Sequence, residues 1–433
     1  MSEIEIKNQK NTELGLLPKD WNIYKVKDVA DTKAGGTPSR KVKEYYDGTI
    51  PWVKSGELED NFINDTEEKL SEEALSKSSA KLFPQGSLLI AMYGATVGKT
   101  ALLNITASTN QAICAIFPNN KLLYNPYLRY YFIFARDRLL TERYGGAQSN
   151  ISQTLIRNFK IPLPPLPEQK KIAAILSRVQ EAKEKTEAVI EASKALKKSM
   201  MKHLFTYGPV AVKKADKIKM QEFQKDKVPN NWQIAKIEDF YNFTKKPRNI
   251  SIHGEEALPF IPMEGISEKY KLATWIKKRK RDISSGTFVF KNDLIVAKIT
   301  PSFENGKQAI LSNLPGEYGY ATTEVWALHP RNEETLNNYL YEYLKIPEVR
   351  NEIAGKMEGS TGRQRVSRGV LGHTLFPKPK MKEQKDIVEM LDGLDNKLQT
   401  EENKKVSLEK LFQSVLKNLM TGKLRVNNID IPL

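Results

Sequence analysis

The chain has 433 residues, of which 40% are hydrophobic and 9% aromatic, and it contains a single cysteine, Cys114. This length exceeds what one hydrophobic core organises, no apolar run approaches the ~20 residues that cross a bilayer, and one cysteine excludes an internal disulfide framework. Lys and Arg outnumber Asp and Glu by 68 to 52, and the resulting net charge of +16 favours a polyanionic partner, above all nucleic acid. We therefore expect a cytoplasmic protein of two or more domains that binds nucleic acid.

The first half of the chain has the pattern of a mixed α/β domain, which we place at residues 1–163. It opens with Leu-Pro-Lys-Asp-Trp at 17–21, and short apolar runs bounded by turn residues follow, as is typical of buried strands. Asn125 is expected to cap the main helix of this domain. The remaining predicted elements are strands at 86–92 and 111–117, a helix from Asn125 to Arg143, a polar loop at 145–152 and a strand at 159–162.

Residues 164–207 carry apolar or small side chains at a spacing of three and four, which predicts a central spacer helix. At ~1.5 Å per residue such a helix is about 60 Å long, too long to be buried in one small domain. It therefore requires an apolar partner along its length, and a second helix of the same kind would provide one. The alternative is that each helix folds back on its own domain. Residues 208–226, with Pro209 and many lysines, are interpreted as an exposed linker.

The second half of the chain repeats the order of the first. Val-Pro-Asn-Asn-Trp at 228–232 matches the first opening, and the two helical patterns match at a constant offset, since 168 + 215 = 383 and 206 + 215 = 421. We therefore place a second domain at 227–378, a C-terminal spacer helix at 379–423 and a tail at 424–433. The second domain's predicted elements are strands at 293–298 and 323–328, a helix starting between Asn332 and Thr335 and interrupted at Pro347, a polar loop at 359–367 and a strand at 374–377.

These patterns together predict an α/β (mixed α+β) fold with an internal duplication. Two similar globular domains would be separated by two long antiparallel coiled-coil helices, which would relate the domains by a pseudo-twofold axis. The residues expected to pack the two helices against each other are Ile172, Val179, Val189, Leu196, Met200, Ile387, Leu394, Leu408, Leu411 and Val415.

No segment carries a convincing catalytic or metal-binding pattern. The sequence from Gly94 to Thr100 is similar to a phosphate-binding loop, but three residues separate its glycines where that loop has four. A tight turn that presents Lys99 to DNA phosphate is the favoured interpretation. The four histidines are scattered without metal-ligand spacing, so we expect no catalytic residue and no metal site. A P-loop-like nucleotide-binding protein and a coiled-coil scaffold with no DNA role remain the alternatives.

Several segments combine basic residues with flexibility and are candidates for DNA contact. The segment from Gly359 to Arg368 mixes Arg and Gln, which make bidentate contacts with guanine and adenine. Its counterpart at 145–150 has Gln and Asn but no Arg, so the two halves should read different sequences. The residues predicted to contact DNA are Arg40, Lys41, Lys43, Lys99, Gln148, Asn150, Lys278, Arg279, Lys280, Arg363, Gln364 and Arg365.

Over nearly its whole length the chain resembles the specificity subunit of a type I restriction–modification system. The matching features are the Leu/Val-Pro-x-x-Trp opening of each half, the segment Ser-Leu-Leu-Ile-Ala-Met-Tyr-Gly-Ala-Thr-Val-Gly-Lys at 87–99, and Ile-Pro-Leu-Pro-Pro-Leu-Pro-Glu-Gln at 161–169. The second half departs from this pattern in two places. Residues 376–379 form a weaker version of the proline-rich entry, and residues 299–307 are stretched relative to the first copy.

The resemblance implies a non-catalytic reader of double-stranded DNA. Each domain would be a target recognition domain for one half of a bipartite, asymmetric target, and the helices would set the spacing and dock two methyltransferase subunits. Those subunits would bind S-adenosylmethionine and methylate adenine, while separate restriction subunits would use ATP and Mg and cut DNA. The assembly would thus be an adenine-specific methyltransferase and type I site-specific endonuclease, with no cofactor on this chain.

Overall fold

The structure, a computed structural model, describes residues 9–142, 150–360 and 362–427. Its contacts divide the chain into two units, one made of Met1–Ala188 with Glu402–Leu433 and the other of Val189–Glu401. Each unit therefore holds one globular domain and a part of each long helix. Within the described ranges, no helix is long and apolar enough to cross a bilayer.

The globular part of the first unit is built on two small sheets. Its elements are β1 (Gln9–Thr12), β2 (Gly15–Pro18), β3 (Asn22–Lys25), α1 (Val26–Val29), β4 (Ala30–Ala34), β5 (Ile50–Val53), β6 (Asn61–Ile63), β7 (Glu68–Leu70), α2 (Glu72–Ser76), β8 (Leu82–Phe83), β9 (Leu88–Ala91), β10 (Thr100–Leu103), β11 (Ala107–Thr109), β12 (Ile113–Pro118), α3 (Asn125–Phe134), α4 (Arg136–Thr141), α5 (Gln153–Asn158) and β13 (Lys160–Leu163). The sheet orders are β4-β12-β9-β10-β6 and β7-β5-β11-β8, while β1 pairs with β2 and β3 with β13.

The larger sheet of the first unit is buried on both faces, which explains why its central strands are continuous apolar runs in the sequence. Side chains alternate between the faces along a strand. Leu88 and Ile90 belong to the core shared with α3 and the long helices, whereas Leu89 and Ala91 belong to a separate core above the other face. The strands predicted at 86–92 and 111–117 are confirmed as β9 and β12.

The second unit repeats this topology. Its elements are α7 (Val212–Ala215), β14 (Met220–Phe223), β15 (Asp226–Pro229), β16 (Gln233–Lys236), α8 (Ile237–Phe240), β17 (Tyr241–Phe243), β18 (Ala257–Ile261), β19 (Ile276–Arg279), β20 (Thr287–Phe290), β21 (Leu294–Ala297), β22 (Gln308–Ile310), β23 (Tyr318–Ala321), β24 (Val325–Pro330), α9 (Asn337–Leu344), α10 (Pro347–Ala354), α11 (Arg368–Gly372) and β25 (Leu375–Lys378). The sheet orders β17-β24-β21-β22 and β19-β18-β23-β20 follow those of the first unit, except that no strand among the described residues corresponds to β6. The predicted duplication is therefore confirmed.

The main helix of each domain begins differently from the prediction. Asn125 is the first residue of α3 rather than its cap, and its buried amide donates to the carbonyls of Gly86 and Ile116. The helix also breaks at Ala135 into α3 and α4 instead of continuing to Arg143. In the second domain the helix begins at Asn337, later than the range predicted from Asn332. The observed helix starts differ from the predicted ones because a buried amide side chain bonds to the sheet instead of capping the helix. Pro347 starts a separate helix, as predicted.

The segment predicted as an exposed linker at 208–226 is folded. It contains α7 and β14, which forms a hairpin with β15 at the end of the segment, and its Ala215 and Phe223 are buried. The hairpin is the counterpart of β1 and β2 in the first unit, so the duplicated domain begins earlier than 227. The hairpin was not predicted because the apolar residues of this segment are few and are separated by lysines.

The predicted tail is likewise docked where it is described, at 424–427. Val426 is fully buried, and the guanidinium of Arg425 donates to the carboxylates of Glu168 and Asp20 at 2.7–3.0 Å. Burial favours a lower pKa for Arg425, but these two carboxylates raise the pKa above its ordinary value. Residues 424–427 are therefore an integral part of the first unit.

The long helices are α6 (Leu166–Tyr207) and α12 (Met381–Met420). Within the first unit Lys183 pairs with Glu409, and Glu187 with Lys405, both at 2.5 Å, so residue numbers rise along one helix as they fall along the other. This confirms the antiparallel arrangement. Each helix also packs on a globular domain, so the prediction of a helix pair and the alternative of helices folded onto domains are both partly correct.

The residues predicted to pack these helices against each other differ in their burial. Ile172 and Ile387 are fully buried, and Val179, Met200, Leu394, Leu408 and Val415 are half-buried. The prediction is wrong for Val189, Leu196 and Leu411, which are 37%, 51% and 47% exposed. The buried stripe of α6 instead runs through Thr186, Ile190 and Ser193, about 100° around the helix from Val189.

A buried glutamine attaches the start of each long helix to its domain. The side chain of Gln169 accepts from the backbone N–H of Tyr124 at 2.9 Å and donates to the carbonyls of Leu122 and Pro164 at 2.8 and 2.9 Å. Gln384 repeats the arrangement at the start of α12. Both glutamines are fully buried; their bonds to the carbonyls of Pro164 and Pro379 are shielded from water, and the other two bonds of each are partly shielded.

His329 provides a pH-dependent contribution to the second unit. Its Nδ1 lies 2.7 Å from the buried carboxylate of Asp293, and this hydrogen bond raises the histidine pKa above its ordinary 6.5 despite partial burial. The charged form is thus favoured by folding, so its stabilisation is complete below about pH 6.5 and is lost as pH rises through the raised value. We expect the urea midpoint of this unit to fall over that window. His329→Gln should flatten the dependence, and an unchanged pH profile in that variant would contradict the assignment.

Candidate nucleic-acid interface

The turn between β9 and β10 carries Lys99 but is not a phosphate-binding loop. The backbone N–H groups of Val97, Gly98 and Lys99 all donate to carbonyls of the turn or of β9, at 2.8–3.2 Å. The segment leads into strand β10, whereas a phosphate-binding loop leads into a helix whose N-terminus faces the phosphate. The interpretation of this segment as a P-loop is therefore wrong. Lys99 itself is ion-paired with Glu59, so its charge is partly balanced within the domain.

Arg40 lies at the centre of a structured cluster rather than on a free loop. Its guanidinium is 2.5 Å from the carboxylate of Glu68 and lies over the rings of Tyr46 and Trp52, 4.1 and 5.1 Å from their centroids. The hydrogen bond to Glu68 raises the arginine pKa, and the same bond lowers that of Glu68. Half of the Arg40 side chain remains exposed, and the contacts with Glu68 and the two rings fix the orientation in which it would meet DNA.

The neighbouring candidates of the first domain are less constrained. Lys41 and Lys43 are exposed on the segment that leads into a short 3-10 turn at Lys43–Tyr46. Asn150 is exposed immediately before the buried Ile151, whose N–H donates to the carbonyl of Met92. Gln148 lies outside the described residues.

The densest basic run of the sequence forms the edge strand β19, so it is not a flexible segment. Its residues pair with β18, in register from Ala257 opposite Arg279 to Phe260 opposite Ile276. Lys278 lies 4.3 Å above the ring of Phe260, and Arg279 pairs with Asp282 at 3.0 Å. Lys280, in the turn that follows, lies 5.1 Å above the ring of Tyr320. The strand therefore presents a fixed row of positive charge on one sheet edge.

The loop around Arg363 is anchored at its C-terminal side. The guanidinium of Arg365 makes two bonds of 3.1 Å to the carboxylate of Glu324, and its backbone bridges to Glu358 and Ile299. Gln364 is half-buried, and its carbonyl accepts from the N–H of Thr300. Arg363, by contrast, is exposed at the tip. Arg365 is thus engaged in holding the loop, while the side chain of Arg363 is exposed.

Sequence reasoning missed Lys298, which lies beneath this loop. Its carbonyl accepts from Val366 at 2.8 Å, and its ammonium lies 4.4 Å over the ring of Trp326. Burial lowers the pKa of Lys298, although Glu324 acts in the opposite direction. The signal in the sequence was a lysine ending a buried strand, at the position that Met92 occupies in the first domain.

The comparisons with known proteins agree with this architecture. Residues 18–192 and 229–410 each match the family described as the type I restriction modification DNA specificity domain. The chain is 24% identical to the MjaVIII specificity subunit of Methanocaldococcus jannaschii over 421 residues, 96% of this chain and 95% of that protein. It is 29% identical to the MjaIX specificity subunit of the same organism over 236 residues, about half of each protein (53% and 54%).

Solved structures share the fold. An S subunit of a type I restriction-modification system from M. genitalium superposes with a TM-score of 0.60 at 17% identity, over 92% of this chain and 96% of that one. A chain from a type I R-M system solved to explain complex assembly gives 0.53 at 16% identity, over 94% and 99%. Because the family matches cover both domains and most of the sequence, the chain belongs to the type I restriction–modification specificity subunits and carries two copies of their DNA specificity domain.

Proposed function

We propose that this chain recognises a bipartite, asymmetric DNA target, with one half read by each target recognition domain. The observation that carries the proposal is a duplicated framework whose equivalent loops expose different side chains. The first domain exposes Asn150 in the loop before its anchored residue Ile151, and the second exposes Arg363 in the loop before Val366, since 151 + 215 = 366. Identical frames with different polar groups are what two different half-sites require.

We further propose that the chain acts without catalysis of its own and docks two methyltransferase subunits, and through them restriction subunits. S-adenosylmethionine, ATP and Mg would be bound by those partners in the cytoplasm, and the assembly would methylate adenine and cut unmodified DNA. The net charge of +16 supports association with DNA, which neutralises phosphates and releases counterions.

The decisive experiment maps methylated adenines in a host with and without this chain, expressed beside its methyltransferase. We expect methylation at one split sequence that disappears when the chain is deleted. The affinity of the assembled complex for that DNA should fall steeply with salt concentration. Methylation unchanged by deletion, or DNA affinity that is absent in the complex, would favour the coiled-coil scaffold instead.

Arg363 is expected to contribute to base discrimination in the second half-site. Arg363→Ala should reduce discrimination at one base pair by about 10- to 100-fold, the effect of losing a bidentate contact worth about 1–3 kcal/mol. The measurement is the methylation rate on the matched target and on targets changed at single positions. Lys225→Ala, which removes an exposed charge from the β14–β15 hairpin, is the matched control. A uniform loss of methylation rate on all DNA sequences would indicate that Arg363 contacts phosphate.

The long helices are proposed to set the gap between the half-sites. Adding seven residues after Ala188 and seven after Asn403 keeps the ion pairs of the antiparallel helices in register, since Lys183–Glu409 and Lys197–Asp395 both sum to 592. The insertion adds about 10 Å, so we expect a gap longer by about three base pairs with both half-sites unchanged. Altered half-sites with an unchanged gap would exclude this role.

A further inference from the structure

The two units share one framework. Each residue at the contact between a domain and the long helices therefore has a counterpart in the other unit. The side chains of Asn125 and Tyr127 hold α3 through the same bonds by which Asn337 and Tyr339 hold α9. The offset on these helices is therefore 212, since 125 + 212 = 337. On the long helices it is 215, from the two buried glutamines, since 169 + 215 = 384.

In the first unit the residues at the equivalent positions are uncharged. Cations lie beside their rings, since the guanidinium of Arg129 is 5.0 Å from the Tyr130 ring and the ammonium of Lys183 is 4.8 Å from that of Phe412. The hydroxyl of Tyr130 on α3 lies 3.0 Å from the hydroxyl of Ser177 on α6. Its ring centroid is 6.2 Å from that of Phe412 on α12, and both aromatic residues are buried. Domain and helices therefore meet here through ring packing and one hydroxyl pair.

In the second unit the counterparts are charged. Because 130 + 212 = 342, 177 + 215 = 392 and 412 − 215 = 197, they are Glu342, Asp392 and Lys197. Glu342 is fully buried, and its carboxylate lies 4.0 Å from the ammonium of Lys197 and 2.9 Å from that of Lys271. Lys271 also pairs with Asp392. The hydroxyl and aromatic partners of the first unit are thus replaced by acid and base.

The charges of the second contact extend to two further positions. Lys197 pairs with Asp395 at 2.5 Å, and Lys345 is largely buried beside them, where desolvation lowers its pKa. Their counterparts in the first unit are the uncharged Gln180 and Ile133. The three carboxylates lie close enough together to hold a metal ion, but the two ammonium groups already pair with their oxygens. The charges of the network balance, because three lysines lie beside three carboxylates.

The two contacts cannot be exchanged without leaving a buried charge unpaired. Glu342 would keep Lys271 and Lys345, which lie on the same domain, so one carboxylate would face two cations beside Ser177 and Phe412. Tyr130 placed on the other helix segments would leave Asp392 and Asp395 with Lys197 as their only cation among these groups. An unpaired buried charge costs far more than a satisfied pair contributes. Packing of the wrong domain on either set of helix segments is therefore disfavoured.

We propose that these two contacts form a matching code, which fixes each recognition domain to its own segments of the long helices. The uncharged set is Tyr130 with Ser177, Gln180 and Phe412, and the charged set is Glu342 with Asp392, Asp395 and Lys197. Similar domains on similar helices could otherwise pack in either order. The code determines which helix segments each domain packs on, independently of the DNA that the domains bind.

The test exchanges the two globular segments, 9–163 and 220–378, within the full chain. We expect the exchanged chain to lose about 10 °C or more in Tm, the shift that follows from breaking a buried ionic network. A second variant adds the six matching helix substitutions, Ser177→Asp, Gln180→Asp, Phe412→Lys, Asp392→Ser, Asp395→Gln and Lys197→Phe. It should recover most of the lost Tm. An exchanged chain as stable as the parent, or no recovery on adding the six substitutions, would overturn the proposal.

A double-mutant cycle in the natural order provides a second, independent measurement. Glu342→Gln and Lys271→Met should each lower the Tm, because each leaves the other charge buried without its partner. The double variant should be more stable than the sum of the single effects indicates, and additive effects would contradict a coupled network. Both experiments follow unfolding without DNA, so their failure is distinguishable from failure of DNA recognition.

Discussion

Replacing Gln384 with alanine is expected to lower the free energy of unfolding of the second unit by about 3–5 kcal/mol. The side chain accepts from the N–H of Leu336 at 3.0 Å and donates to the carbonyls of Glu334 and Pro379 at 2.9 Å each. Alanine removes this partner from the buried carbonyl of Pro379 and from the part-buried groups of Leu336 and Glu334, and an unsatisfied buried group costs about 1–3 kcal/mol. Urea unfolding combined with hydrogen exchange measures the loss and shows where it occurs.

The same substitution at Gln169 provides an internal comparison. Because Gln169 makes the equivalent three bonds in the first unit, Gln169→Ala should destabilise that unit by a similar amount. Lys385→Ala, next to Gln384 but exposed, is the matched control and should change stability little. Equal exchange rates in Gln384→Ala and the parent would show that the glutamine does not hold the helix to the domain.

Arg425→Met is expected to destabilise the first unit by about 3–5 kcal/mol, the cost of removing one partner of a buried ion pair. Glu168 is only 2% exposed, and Arg425 makes two bonds to its carboxylate. Without the arginine, this carboxylate keeps the indole N–H of Trp21 but lacks the cation. The midpoint of urea unfolding measures the effect.

The partner substitution separates the ion pair from general loss of packing. Adding Glu168→Gln to Arg425→Met removes the uncompensated charge, so the double variant should be more stable than Arg425→Met alone. Lys423→Met removes an exposed positive charge from the same stretch and should leave the midpoint unchanged. If Lys423→Met and Arg425→Met behave alike, the effect arises from net charge rather than from the pair.

Regular features of the architecture could be read from the sequence because they depend on local patterns. The strands β9 and β21 are buried on both faces, so they are continuous apolar runs whatever surrounds them. The constant offset between the helices revealed the duplication before any contact was known. The packing stripe of α6 was misplaced, because Val189 and Ile190 are both apolar and periodicity alone cannot say which one faces the partner.

The candidate site was predicted less well, because the role of a charged side chain depends on distant parts of the chain. Arg40 and Glu68 are 28 residues apart, and Arg365 and Glu324 are 41 apart, so nothing local indicated that these arginines are ion-paired. Gln148 lies outside the described residues, and contact of the other candidates with DNA stays a prediction.

The amino-acid sequence by itself determined the duplicated order of elements, the two long helices and the basic charge of the chain, since propensity, periodicity and composition act over a few residues. Only the tertiary structure decided which side chains are free and which are engaged. Arg363 and Arg365 differ in this respect although they are two residues apart. It also decided that equivalent contacts use Tyr130 in one unit and Glu342 in the other, because the energy of a buried charge depends on the partners that folding brings to it.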